Sequence, residues 1–367
     1  MMGMTSATET GTAHYRDRHV DLPNHFHRAQ GLWLSSIGLG TYLGHPTAEV
    51  DTDYIAAIKR ALTNGLNVID TASNYRFQRS ERAVGQAVAE LMAANQIQRD
   101  EVVLATKGGY IAYDGDYPRD PNRWVHDNLI EPGIIKAEEI VDGHCLSPRF
   151  IRSQIEQSRH NLGVDTIDIY YIHNPESQLE SIGRTEFRDR LRRAFAVLEE
   201  AVDEGLIKFY GTATWNGYRI APGATQYLSL DDVLSLARDV CGLTHHCRFI
   251  QLPFNLAMLE ALTARNQRAT DEMMSILEAA NRLGLTIMSS ASLLQGRLLD
   301  QLSDDLRDQF GELLTDAQRC LQFVRSTPGV TTALVGMGRT RHVDENLATA
   351  RVSPLSQEQF RALFASR

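Results

Sequence analysis

The sequence predicts an α/β protein, a closed (β/α)8 barrel with long loops at the C-terminal face of its strands. Three observations carry that prediction. Amphipathic stretches alternate with short apolar, β-rich runs, and such alternation gives a parallel sheet with helical crossovers. The apolar runs end near residues 40, 70, 107, 173, 212, 253, 290 and 336, seven or eight units with no composition break that would mark a second domain. The length, 367 residues, suits one large barrel. A doubly wound open sheet is the alternative.

Taken in order, residues 1–30 contain no apolar core of a secretory signal and read as a flexible tail carrying His14, His19, His25 and His27. The barrel domain is expected over 31–352, followed by a C-terminal segment at 353–367. "SSIGLGTY" gives the first strand, and residues 51–64 place Ile55, Ile58 and Leu62 on one helical stripe. "TNGLNVID" then closes a helix with glycine and begins a strand. The same device recurs in "NLGVDTIDIYYI", "DEGLIKFYGTAT", "RLGLTIMSS" and "TPGVTTALVG". A left-handed glycine ends each helix, the next apolar residue packs back, and a buried parallel strand starts. "DEVVLATKGG" is a strand without that lead-in. Ser147-Pro148 opens a helix bearing Ile151, Ile155 and Leu162. Phe195, Leu198 and Val202 mark another, as do Met273, Ile276, Leu277 and Ala280. Three connections exceed what folding requires: 108–147, an insertion, then 174–190 and 291–311. All three follow strands, so on a barrel they gather at the C-terminal face, as pocket walls, subunit contacts or tolerated surface insertions.

The formal net charge of −9 argues against nucleic-acid or anionic-membrane partners, since phosphate recognition needs a basic face. No run of about 18 apolar residues occurs, so no membrane span is expected. Four cysteines, at 145, 241, 247 and 320, lack paired spacing, which fits a reducing cytoplasm. "CGLTHHC" at 241–247 lacks a structural-zinc spacing, and no metal is expected.

Chemistry concentrates at three consecutive strand ends. Asp70 ends strand two, Tyr75 follows in its loop, Lys107 ends strand three and His173 ends strand four. Each has a plain structural explanation alone: a turn residue, a loop aromatic, a hydrogen-bonded imidazole. Lys107 is the hardest to explain so, because a cation closing an apolar strand must reach water or find a partner. Together the four converge on one edge of the mouth, where barrel enzymes work. A lysine ammonium beside a tyrosine lowers the phenol pKa from about 10. An aspartate keeps that ammonium charged, and a histidine orients a substrate oxygen. This set suits protonation of an oxygen gaining negative charge as a carbonyl receives hydride. No side chain supplies hydride, so a nicotinamide cofactor is implied.

The chain resembles the aldo-keto reductases over about residues 30–352, through "IGLGTY", "NVIDTASNYRFQRSERAVGQAV", "VVLATKGG", "IDIYYIHNPE", "GLIKFYGTATWN", "IQLPFN" and "ALVGMGRTRHVDENL". The resemblance implies that Asp70, Tyr75, Lys107 and His173 are catalytic, with Tyr75 the proton donor. It also implies a dinucleotide across the barrel mouth. Thr41 and Tyr42 would border the nicotinamide, with Asp70 beneath the ribose. Gln251 and Thr214 would hold the carboxamide. Ser292, Leu293, Gly296 and Arg297 would line the pyrophosphate, and Glu345 and Asn346 the adenine. Gly336 precedes a helix start where Arg339 or Arg341 could pair with a 2′-phosphate, which favours NADPH over NADH. Two positions depart from the family's pattern. Ala213-Thr214 stands where the family often has Ser-Asn, and Ser290 where an aromatic commonly stacks on the nicotinamide. Tyr42, Tyr110, Trp124 and Trp215 are substrate candidates, although the aromatics of 108–147 could equally pack on one another. The expected partner is a small carbonyl or alcohol, and a homo-oligomer is possible. Two other functions compete: a Schiff-base aldolase using Lys107, and a cofactor-sensing subunit with little turnover.

Overall fold

Eight parallel strands close into a barrel in sequence order, with the eighth pairing back onto the first. They are β1 Ile37–Gly40, β2 Val68–Asp70, β3 Val103–Gly108, β4 Ile167–His173, β5 Ile207–Ala213, β6 Cys247–Pro253, β7 Thr286–Ser290 and β8 Val330–Gly336. The structure, a computed structural model, describes residues 6–299 and 301–365. Closure removes the open sheet as an alternative, and each strand ends within about one residue of its expected position.

Side-chain alternation decides what each strand end presents. Val68, Val103, Ala105, Ile169, Tyr171, Phe249, Met288 and Leu334 fill the barrel interior as one apolar cluster. Alternate residues share a face, so Asp70, Lys107, His173 and Gln251, two positions beyond an interior residue, continue the inward row to the upper rim. The intervening residues, Ile69, Leu104, Tyr170, Ile172 and Ile250, pack outward against the helices.

The helices follow the expected stripes. Ile58 and Leu62 are buried on Ala48–Leu62, and Ser147 takes the N-cap position of Pro148–Leu162, with proline at its start. Gly163, Gly205 and Gly284 carry φ of 64°, 75° and 73°, the left-handed closure that lets the next strand begin. Met273 departs from expectation. It lies in a short strand, Glu272–Met274, paired with Gln267–Ala269, and the helix begins only at Ile276. Ser275 and Glu278 form a reciprocal capping box there, which fixes the start of the helix after Met273.

From residue 6 onward, the N-terminal segment is not a flexible tail. Residues Glu9–Asp17 form a helix, and Phe26–Ala29 pairs with Leu32–Ser35 in a hairpin. Leu32 and Leu34 join the barrel's interior cluster from below, and Ala7 donates its N–H to Asp168 at 2.6 Å. Tyr15 donates its hydroxyl to the Leu62 carbonyl at 2.6 Å. His25 Nε2 donates to the Gly65 carbonyl at 3.0 Å, and its Nδ1 lies 2.9 Å from the Ser36 hydroxyl. These contacts close the end of the barrel opposite the site. The C-terminal segment also packs: Phe360 stacks on Phe323 at 5.6 Å between ring centroids.

The buried histidines give stability a pH dependence. Burial, reinforced by Arg325, holds His25 well below its ordinary value, and burial pushes His144 down to about 4. The unfolded chain takes up protons near 6.5 while the fold resists them, so the unfolded state binds more protons below that point. Stability is therefore full above about pH 6.5 and is lost as pH falls through the window below it. Melting temperature should drop between about pH 7 and about pH 5. A His25→Gln variant, lower in Tm throughout, should show a shallower slope.

Candidate active site

The upper rim forms a cavity of about 610 Å³. Asp70, Tyr75 and His173 line one wall, and Lys107 lies immediately beneath, 1 % exposed. Lys107 Nζ donates to Asp70 Oδ1 at 2.6 Å and to the Thr71 carbonyl at 2.8 Å. The second carboxylate oxygen of Asp70 accepts from Gln251 Nε2 at 2.7 Å. Both oxygens are thus engaged, and Asp70 is fixed from two strands. Lys107 Nζ sits 4.8 Å from the Tyr75 ring centroid. The Tyr75 ring meets Tyr42 edge-on at 5.0 Å and His173 at 5.8 Å.

Burial works against the Lys107 charge, but Asp70 and then Tyr75 outweigh it and hold the ammonium above its ordinary range. Tyr75 differs from the sequence expectation. Burial raises its pKa, and the opposing pull of Lys107 is partly cancelled by the Asp70 charge. The net shift is upward because burial outweighs the pull of Lys107, which the Asp70 charge partly offsets. The phenol therefore stays protonated through neutral pH. Burial and the Lys107 charge hold His173 well below its ordinary value, so the imidazole is neutral.

His173 is anchored from behind. His144 Nε2 donates to the His173 carbonyl at 2.8 Å, and its Nδ1 accepts from Gln178 Nε2 at 3.0 Å. The carbonyl can only accept, which fixes the His144 tautomer. Tyr110 stacks edge-on against both histidines, at 4.9 and 5.2 Å.

Of the residues mapped to a cofactor, Thr41, Tyr42, Thr214 and Gln251 line the cavity. So do Ser292, Leu293, Gly296, Gly336, Glu345 and Asn346. The polar groups fit a ligand of that kind: Thr214 Oγ1 and Asn346 Oδ1 are buried without a partner among the described residues. Arg297, Arg339 and Arg341 do not line it and are exposed. Arg339 instead lies 3.7 Å from Asp53, and Arg341 Nε 3.3 Å from His342. Among the substrate candidates, Tyr42 and Trp215 border the cavity, 55 % and 42 % exposed. Tyr110 lies behind His173. Trp124 is turned away, packed on Tyr113 at 5.0 Å, which in turn meets Tyr117 at 5.3 Å. The loop's aromatics thus pack on one another. His246 and Cys247 are spent elsewhere: His246 pairs with Glu199 at 2.7 Å, and Cys247 is buried at the start of β6.

The sequence reading missed Asn174, Gln295 and His342, all on the cavity wall. Asn174 directly follows His173, and its left-handed backbone (φ 44°) places it on the rim. That adjacency was the available signal. The same signal held for the other two, since Gln295 precedes Gly296 and His342 follows Arg341.

The model of the aldo/keto reductase family matches residues 36–311. The chain belongs to that family. The "uncharacterized oxidoreductase YqkF" of Bacillus subtilis is 23 % identical over 357 residues, covering 90 % of this chain and 92 % of that protein. The "NADH-specific methylglyoxal reductase" of Escherichia coli is 33 % identical over 187 residues, about half of each chain (49 % and 48 %). Among solved structures, an aldo/keto reductase from Klebsiella pneumoniae in complex with NADP and acetate is 25 % identical, with a TM-score of 0.61 over 91 % of this chain and 92 % of that one. The glycerol dehydrogenase of Gluconobacter oxydans shares the fold at 21 % identity and a TM-score of 0.63, over 93 % and 94 % of the two chains. The aldo-keto reductase is thus an oxidoreductase whose barrel mouth carries the residue set described above. Among the described residues, no helix is long and apolar enough to cross a membrane.

Proposed function

We propose that this aldo-keto reductase interconverts a small carbonyl compound and its alcohol with NADPH, using Tyr75 as the general acid and base. The observation that carries this reading is the buried Asp70–Lys107 pair, 2.6 Å apart, directly below the Tyr75 ring at the cavity wall. When bound, the nicotinamide supplies or accepts hydride. Thr214, Gln251, Ser292 and Asn346 would hold the dinucleotide. The neutral His173 would donate a hydrogen bond to the substrate oxygen and orient it toward Tyr75.

Tyr75 then gives its proton to the oxygen as negative charge develops there. A raised phenol pKa does not obstruct this step. An alkoxide is comparable to hydroxide in basicity (water pKa about 15.7), so transfer from the phenol remains downhill. Lys107, charged and fixed by Asp70, stabilises the phenolate left behind.

Lys107 is poorly suited to attack a carbonyl, because Asp70 and the Thr71 carbonyl occupy an ammonium that stays protonated. That weighs against the Schiff-base aldolase. The complete four-residue set weighs against a cofactor sensor with little turnover.

The test is a panel of aldehydes, ketones and sugars, including methylglyoxal, followed by absorbance of the reduced cofactor with NADPH and NADH compared. Turnover on no member would overturn the reading. Arg339 takes the N-cap position of the helix Thr340–Ala350 and is the candidate for a 2′-phosphate that the sequence pattern offers. Arg339→Ala should raise KM for NADPH by about tenfold, the value of one charge-assisted hydrogen bond, and leave KM for NADH unchanged. Equal effects on both would reject the assignment.

A further inference from the structure

Immediately after Tyr75 the backbone does something costly. Arg76, Phe77 and Gln78 have φ of 49°, 56° and 69°, three successive non-glycine residues in the left-handed region. L-residues rarely adopt it singly, and a run of three is a left-handed turn that only surrounding structure can hold. Strain of this kind clusters where a side chain must be presented in one place.

The holding contacts come from two sides. From the β1 side, the buried Arg76 guanidinium donates to the His45 carbonyl at 3.1 Å, to the Thr47 carbonyl at 3.3 Å and to Asp51. Asp51 also accepts from Arg79, which opens the next helix. From the insertion side, Gln78 Nε2 donates to the Ala112 and Tyr113 carbonyls, both at 3.2 Å, while its Oε1 accepts from Asn161 at 3.0 Å. Gly115 N–H donates to the Phe77 carbonyl at 2.9 Å. The Phe77 ring meets Tyr113 and Tyr117 at 6.5 and 6.1 Å. Every residue of the turn is gripped, and four of the gripping residues, Ala112, Tyr113, Gly115 and Tyr117, belong to the 108–147 insertion.

We propose that Arg76 and Gln78 are positioning residues, and that the 108–147 insertion serves as a clamp. By holding the left-handed turn, it fixes where the chain leaves Tyr75 and so keeps the phenol over Lys107. This rests on the reading of Tyr75 as the acid and base. The insertion thereby has a role beyond walling the mouth, and the aromatic packing that removes Trp124 from the cavity is part of the clamp.

The experiment compares Gln78→Ala, Gln78→Gly, Arg76→Lys and Tyr75→Phe with the parent, using NADPH and the panel carbonyl of highest turnover. NADPH affinity and circular dichroism serve as folding controls. Gln78→Ala loses the grip and keeps the strain, so kcat should fall about 10- to 100-fold, the scale of a misplacement near 1 Å, with NADPH affinity within about twofold. Arg76→Lys, which keeps the charge but not the fork, should behave alike. Gln78→Gly removes the strain and should recover part of the loss. In all three the alkaline limb of kcat should move to higher pH, because a phenol displaced from Lys107 loses its downward pull. A kcat and alkaline limb matching the parent in Gln78→Ala and Arg76→Lys, with Tyr75→Phe inactive, would overturn the clamp alone. Full activity in Tyr75→Phe, or a parent inactive on the whole panel, would instead overturn the reading beneath it.

Discussion

Tyr75→Phe is expected to lower kcat by about 10²–10⁴, the usual contribution of a positioned proton donor, with little change in NADPH affinity. The substitution removes one oxygen and keeps the ring that packs on Tyr42 and His173. Binding should therefore survive while proton transfer does not. The pH profile gives a second check. Burial holds the phenol above its ordinary range against the pull of Lys107. Reduction uses the protonated form, so its rate should stay level through neutral pH and fall only above about pH 10. Oxidation of the alcohol uses the phenolate, so its rate should climb with pH over the same range. His173 is held neutral by burial and the neighbouring ammonium, so its protonation should contribute no acid limb near its ordinary value of about 6.5. A Tyr75→Phe enzyme with the parent's kcat would dismiss the assignment.

What could be read from the sequence was what local physics determines. Strand ends were legible because helix-closing glycines and apolar runs act within a few residues; Gly163, Gly205 and Gly284 take the left-handed backbone this requires. The inward row was legible too, since period-two alternation from Ile169 through Tyr171 to His173 needs no tertiary information. The remainder depends on partners far along the chain. The N-terminal histidines resemble a polar tail until His25 meets a carbonyl 40 residues away and Tyr15 one 47 away. Net direction of the Tyr75 shift was equally hidden. A sequence names the lysine beside the phenol, but not how deeply the phenol is buried, which outweighs the lysine's pull. Arg339 and Arg341 matched a motif, yet motif spacing does not say that a side chain faces the solvent side of its helix start.

Lys107→Met separates the electrostatic from the structural share of the site. The ammonium is buried and held by two hydrogen bonds, one to each of Asp70 and the Thr71 carbonyl. Its removal strands the Asp70 carboxylate, which keeps only the Gln251 amide. Losing one partner of a buried pair costs about 3–5 kcal/mol, and melting temperature should fall accordingly. Activity should fall further than stability alone explains. Without the ammonium nothing offsets the burial that raises the Tyr75 phenol, and the phenolate formed after proton transfer loses its counter-charge. A kcat reduction of at least about 10³ is expected, on the scale of a lost electrostatic stabiliser. Adding Asp70→Asn separates the two effects. The double variant no longer buries a lone charge, so it should regain most of the lost stability. Its kcat should stay low, because a neutral amide beneath a methionine cannot stabilise a phenolate. Recovery of both in the double variant would mean that the pair only supports the fold, and recovery of neither would mean that Lys107 packs the rim in a way its charge does not explain.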